Sequence, residues 1–220
     1  SGSMANDRPR VVAGIADMMA VLPATNWRLA IISTDPNRAA ATQLFPLIPG
    51  DDATVAEQQM NATVTGHHEK GFDAVAGYMS NGYSPTWMRA DAALLVVFVS
   101  DEEEQSLSGF PNTSDFVNYL RHQRDYVFVS SIVQLDLALT ECDPASIMNV
   151  GSRYVDVTNA FGGQKIDICA EDWSQGVADA SGQIQQYDYW DLTRIPLYND
   201  RIYVFIDGVP DFNWRYEPAE

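Results

Sequence analysis

A chain of 220 residues with 46% apolar residues can bury one domain-sized core and leave room for a small appendage. Its 30 acidic residues against 13 basic ones, a net charge of −17, argue against a nucleic-acid-binding face and fit either a solvated acidic surface or nearby divalent cations. No apolar run is long enough to span a membrane, and the first residues carry no secretory leader pattern.

Val11, Val12, Ile15, Met18, Met19 and Leu22 recur at steps of three and four, which predicts a helix stopped by Pro23. Trp27 to Ser33 (WRLAIIS) reads as a buried strand ended by Asp35-Pro36. Residues 36–53, with Pro46, Pro49 and Gly50, read as loop. Helices are expected over 54–64 and 67–80, the second with Phe72, Val75, Ala76 and Met79 on one side. Ala92 to Val99 (AALLVVFV) is apolar on both faces, which predicts a strand inside a sheet covered on both sides. A helix over 115–124, capped by Ser114 or Thr113, leads to a second buried strand over 126–133. Tyr154 to Val157 reads as a short strand before Gly162-Gly163, and 171–186 as a helix. Near the end, 201–206 and 212–216 flank Asp207-Gly208 and read as a β-hairpin.

Strands alternating with helices predict an α/β, Rossmann-like fold with a mostly parallel central sheet flanked by helices. The expected division is a domain over 1–187 and a β-rich extension over 188–220. In such a sheet, ligands bind beyond the carboxyl ends of the strands. Beyond Val99 stands Ser100-Asp101-Glu102-Glu103-Glu104-Gln105-Ser106. Consecutive carboxylates repel one another, so the loop is either well solvated or gathered near a cation.

Other candidates are weaker. His67 and His68 are adjacent, and side chains one residue apart on a helix diverge by about 100°, so a helix-start or surface role outranks shared metal binding. His122 reads as a surface residue. There is no P-loop, G-x-S-x-G elbow, G-x-G-x-x-G or HExxH pattern. A glycosidase-like pair within Glu102 to Glu104 lacks an opposed carboxylate. The reading from these patterns is therefore that the chain is not an enzyme.

AALLVVFVSDEEEQS over 92–106 resembles the fourth strand and following loop of von Willebrand factor A (vWA) domains, in a bacterial branch with SDE-type loops. Ser1-Gly2-Ser3-Met4, the helix after it and NWRLAIISTD resemble the end of that family's D-x-S-x-S motif, its first helix and its second strand. Gly151 to Trp173 (GSRYVDVTNAFGG…ICAEDW) resembles the last strand, loop and helix. The resemblance covers residues 1 to about 187 and rests on the order and spacing of these segments together. It implies a metal-ion-dependent adhesion site (MIDAS) at the top of the sheet, with Ser1, Ser3, Thr65 and Asp101 as ligands and Glu69 and Glu102 as accessory groups. Hard oxygen donors suit Mg²⁺, or Mn²⁺ or Ca²⁺, with one position left open. An acidic side chain of a protein ligand, or a surface glycoconjugate, would fill that position.

The resemblance also implies a disulfide between Cys142 and Cys169, the alternative being two free thiols. Such a bond closes a loop of about 28 residues and contributes about 3 kcal/mol. It favours an extracytoplasmic setting, secreted, periplasmic or at a bacterial cell surface. The family's first strand would precede Ser1, and the expectation is that another chain or segment supplies it. Two functions remain open: cation-dependent adhesion, or a structural part of a surface or particle assembly with no working metal site.

Overall fold

The computed structural model describes residues 8–22, 27–63, 66, 68–136, 150–185, 202–206 and 209–211. The chain divides into two compact units, Ser1–Gln186 and Tyr187–Glu220.

In the first unit α1 (Arg8–Val21) turns Met18 inward, while Val11 and Leu22 pack beside it. The predicted strand over 27–33 is not a ladder strand: among the described residues it forms only an isolated antiparallel bridge, Leu29 with Leu47. The stretch expected to be loop contains a helix, α2 (Pro36–Ala41). Its local signals are a capping acid and a proline at the start: the Asp35 carboxylate accepts from Asn37 N at 3.0 Å and Arg38 N at 3.4 Å. α3 (Ala53–Ala62) is capped by Asp52. α4 (Gly71–Met79) begins later than expected, leaving Glu69 and Lys70 in the turn before it.

β1 (Leu94–Ser100) and β2 (Val127–Val133) are the expected buried strands. Between them lies α5 (Thr113–Gln123), whose cap is Asn112 rather than Ser114 or Thr113, in a capping box with Asp115. The short strand expected at 154–157 is instead α6 (Ser152–Ala160). Tyr154, Val157 and Thr158 are its buried residues, the three- and four-residue steps of one helical face. The strand follows it as β3 (Lys165–Asp167), and α7 (Ser174–Gln185) comes next.

β1, β2 and β3 form a parallel sheet in that order, with Leu94 opposite Val127 and Ser131 opposite Lys165. Alternate residues of each strand enter opposite layers. Val96, Phe98, Val129 and Val133 join Phe72, Phe116, Leu120, Tyr154 and Val157 beneath α4, α5 and α6. Ile132 and Ile166 join Met18, Trp173 and Val177 beneath α1 and α7, with Val97 and Val99 packed alongside. Phe72 anchors the first layer, its ring stacked on Phe116 at 4.3 Å between centroids. Arg10 lies over the Trp173 ring at 4.5 Å and donates to Ala170 O, tying α1 to the turn before α7.

The second unit contains an antiparallel pair, β4 (Val204–Ile206) with β5 (Val209–Asp211). The expected second arm, 212–216, lies outside the described residues. Among the described residues no helix is long and apolar enough to cross a membrane.

Candidate functional site

The carboxyl edge of the parallel sheet is polar. Ser100, Gln134 and Asp167, at the ends of β1, β2 and β3, are all buried. The loop after β1 carries its acids here, and their environments separate them into two groups.

Glu103 and Glu104 hold helices. α6 begins at Gly151, which has no capping side chain and no space for one: a Cβ there would lie 2.8 Å from Val133 Cβ. Glu103 serves instead, accepting from Ser152 N at 3.0 Å and Arg153 N at 3.1 Å. A carboxylate suits that position because unpaired amides and the helix dipole present positive charge. α4 likewise lacks a side-chain cap of its own at Lys70. The fully buried Glu104 carboxylate accepts from Phe72 N at 3.3 Å, and the Ser106 hydroxyl oxygen accepts from Asp73 N at 3.0 Å. Glu104 also accepts from Ser106 N and from Arg153 Nε, each at 3.0 Å. Arg153 spends its remaining donors on the carbonyls of Phe110 and Pro111 and lies over the Phe72 ring. Two of the four consecutive acids are therefore neutralised by the protein itself.

Asp101 and Glu102 form the second group, joined by Glu69 from the turn before α4. Glu69 is buried, with 2% of its surface exposed. The Ser100 hydroxyl stands 3.3 Å from Glu69 Oε2 and 3.0 Å from the Glu102 carbonyl, and it accepts from Glu102 N at 3.2 Å. The backbone locks the two segments together where Gln105 N donates to Glu69 O at 2.7 Å. Burial, then the charges of Glu69 and Asp101, hold the Glu102 carboxyl above its ordinary value. Beneath them the buried Tyr154 hydroxyl has no hydrogen bond of good geometry. Burial first, then Glu104 and Glu69, push it well above the usual phenol range.

Asp35 stands near the same turn, which the sequence reading did not foresee. A Cβ on Gly66 would fall 2.1 Å from Asp35 Cβ, and Lys70 N donates to Thr34 O at 3.1 Å. The missed signal was a strand followed by Asp-Pro, which places a carboxylate at a strand end and a helix start together.

Of the expected ligands, the structure brings together Asp101, Glu69 and Glu102. Ser1, Ser3 and Thr65 lie outside the described residues. Among the described residues no three Asp, Glu, His or Cys side chains converge closely enough to hold a metal ion by themselves. An ion at this edge therefore needs further oxygen donors. His68 and His122 are exposed, His122 beside the Asn118 carbonyl, while His67 lies outside the described residues. Cys169 is disulfide-bonded, and the chain's other cysteine, Cys142, lies outside the described residues.

No family model, curated protein or solved structure matches the chain.

Proposed function

We propose that this chain is a vWA-like binding domain that holds a divalent cation at the carboxyl edge of its sheet and uses it to capture an acidic side chain of a protein ligand. The observation that carries this reading is the meeting of Glu69 with Ser100, Asp101 and Glu102 from a turn some thirty residues away, while Glu103 and Glu104 are consumed elsewhere. Asp101 would bind the ion, with Glu69 and Glu102 nearby and the hydroxyls of Ser1, Ser3 and Thr65 completing an oxygen set. All are hard donors suited to Mg²⁺, Mn²⁺ or Ca²⁺. When bound, the ion supplies a positive charge with an open coordination position for a visiting carboxylate. The protein's own contribution is rigidity: Ser100 and the Gln105–Glu69 backbone bond set the spacing of the acidic groups before anything binds.

Calorimetric titration of Mg²⁺ or Mn²⁺ into chelator-treated protein tests this. Saturable binding, reduced at least tenfold in Asp101→Asn, supports the site. Equal binding by both proteins refutes it.

A second reading is favoured by the lack of a metal-holding triad among the described carboxylates. There the chain is a structural part of a surface or particle assembly, and the acids only shape the loop. Association with partners that is indifferent to EDTA supports that reading.

A further inference from the structure

The buried face of α6 carries a hydroxyl that its packing does not need. Tyr154 is fully buried, and its ring lies among phenylalanines, 4.8 Å from the Phe98 centroid and 5.7 Å from that of Phe72. A phenylalanine would fill the same space. The fold instead makes room for the oxygen. A Cβ on Gly71 would stand 2.7 Å from Tyr154 Oη and 2.8 Å from its Cε1, so any side chain at the start of α4 would displace the phenol. Yet no hydrogen bond of good geometry offsets the burial. A buried hydroxyl in that condition costs its desolvation, and such an atom in a folded protein calls for a reason.

Its place supplies one. Ser100 follows Val96 and Phe98 at alternate positions of β1 and so faces the layer that holds Tyr154. The Gly71 amide and the Ser100 hydroxyl stand beside the phenol. Ser100 has one proton and two acceptors for it, the Glu102 carbonyl at 3.0 Å and Glu69 Oε2 at 3.3 Å. One of its lone pairs takes the Glu102 amide at 3.2 Å, which leaves the second for a phenol proton. Glu104, the other carboxylate near the phenol, is already engaged by Phe72 N, Ser106 N and Arg153 Nε.

We propose that Tyr154 is a positioning residue for the cation site: with an ion held, it donates to Ser100 Oγ, and Ser100 in turn donates to Glu69 and fixes its carboxylate. This rests on the cation-binding reading and adds the group that sets Glu69 in place. An ion that fixes Glu69 decides between the two acceptors of Ser100. The hydroxyl proton turns from the Glu102 carbonyl to Glu69, and the second lone pair turns to the phenol. A hydroxyl that accepts a hydrogen bond is itself a better donor, so the two bonds strengthen each other. Tyr154 never touches the ion, and its bond belongs to the ion-bound state alone.

The test is calorimetric titration of Mn²⁺ into the chelator-treated full chain, parent and Tyr154→Phe, with urea unfolding of both in EDTA. Expected is affinity about fivefold to tenfold lower in Tyr154→Phe, the size of one hydrogen bond, with stability in EDTA unchanged or raised. Mn²⁺ should also shift the near-ultraviolet tyrosine absorption of the parent, and that component should be absent from the variant. Ser100→Ala removes the middle of the relay, so adding Tyr154→Phe to it should change affinity by less than about twofold. Equal affinity in parent and Tyr154→Phe, or full additivity with Ser100→Ala, overturns the inference and leaves the cation site standing. Lower stability of Tyr154→Phe in EDTA also overturns it, since the hydroxyl would then be bonded without the ion. A parent that binds no Mn²⁺ overturns the cation-binding reading and this inference together.

Discussion

Replacing Arg153 by Met tests how the acidic loop is held. Arg153 Nε lies 3.0 Å from Glu104 Oε2, and the Glu104 side chain is fully buried while that of Arg153 is 16% exposed. Methionine retains the apolar stem over Phe72 but strands the Glu104 carboxylate with only the Phe72 and Ser106 amides. Removing one partner of a buried pair costs about 3–5 kcal/mol. Because Arg153 is partly solvated, the lower end applies, about 3 kcal/mol. Glu104→Gln removes the charge that Arg153 must compensate and should cost about 1–2 kcal/mol as weakened hydrogen bonds. In the double variant no uncompensated buried charge remains, so its loss should fall about 2 kcal/mol short of the sum of the singles. Urea titrations followed by tryptophan fluorescence, with unfolding midpoints compared at constant slope, measure all three. A loss under about 1 kcal/mol in Arg153→Met, or strict additivity in the double variant, refutes the account.

Further expectations follow from packing and charge. At Gly163 a Cβ would stand 1.6 Å from the Val129 carbonyl oxygen, so Gly163→Ala should lose at least about 2 kcal/mol. Gly182 in α7 has nothing within 4 Å, so Gly182→Ala should gain about 0.5–1 kcal/mol; thermal melts of the pair check both. Burial pushes the Tyr78 hydroxyl up to about 12 against a smaller lowering by Trp87. A phenol that holds its proton more tightly when folded contributes fully below pH 10 and loses that contribution as pH rises toward 12. On the order of 2 kcal/mol should disappear over that interval in the parent protein, and Tyr78→Phe should flatten the curve in urea titrations. The Glu102 carboxyl is raised by burial and by Glu69 and Asp101. Cation affinity should therefore weaken on acidification while ordinary carboxylates are still ionised, and Glu102→Gln should remove that early component in calorimetric titrations at stepped pH.

Much of the α/β framework was legible because its signals are local. The three- and four-residue steps of α1, the apolar run of β1 and the alternation of strand with helix need no partner to be read. Asp101 was placed at a strand end by the same reasoning. α2 was hidden by prolines and a glycine in the stretch that follows it, although Asp35-Pro36 marked its start. The 154–157 segment was read as a strand because Tyr154, Val155 and Val157 favour extended backbone. Its helix is supported from outside, by a Glu103 carboxylate 49 residues away from Ser152.

What the sequence determined alone was the alternation of buried strands with amphipathic helices and the presence of acids where a strand ends, since periodicity and composition act over a few neighbouring residues. Which of these acids cap helices and pair with a guanidinium was decided only in three dimensions. Glu103 and Glu104 have the same local character as Asp101 and Glu102, but helix amides and a guanidinium brought in by distant segments neutralise the first pair. Glu69 joins the second pair because the turn before α4 packs against the end of β1. Charge and hydrogen bonding act between neighbours in space, and the fold chooses those neighbours.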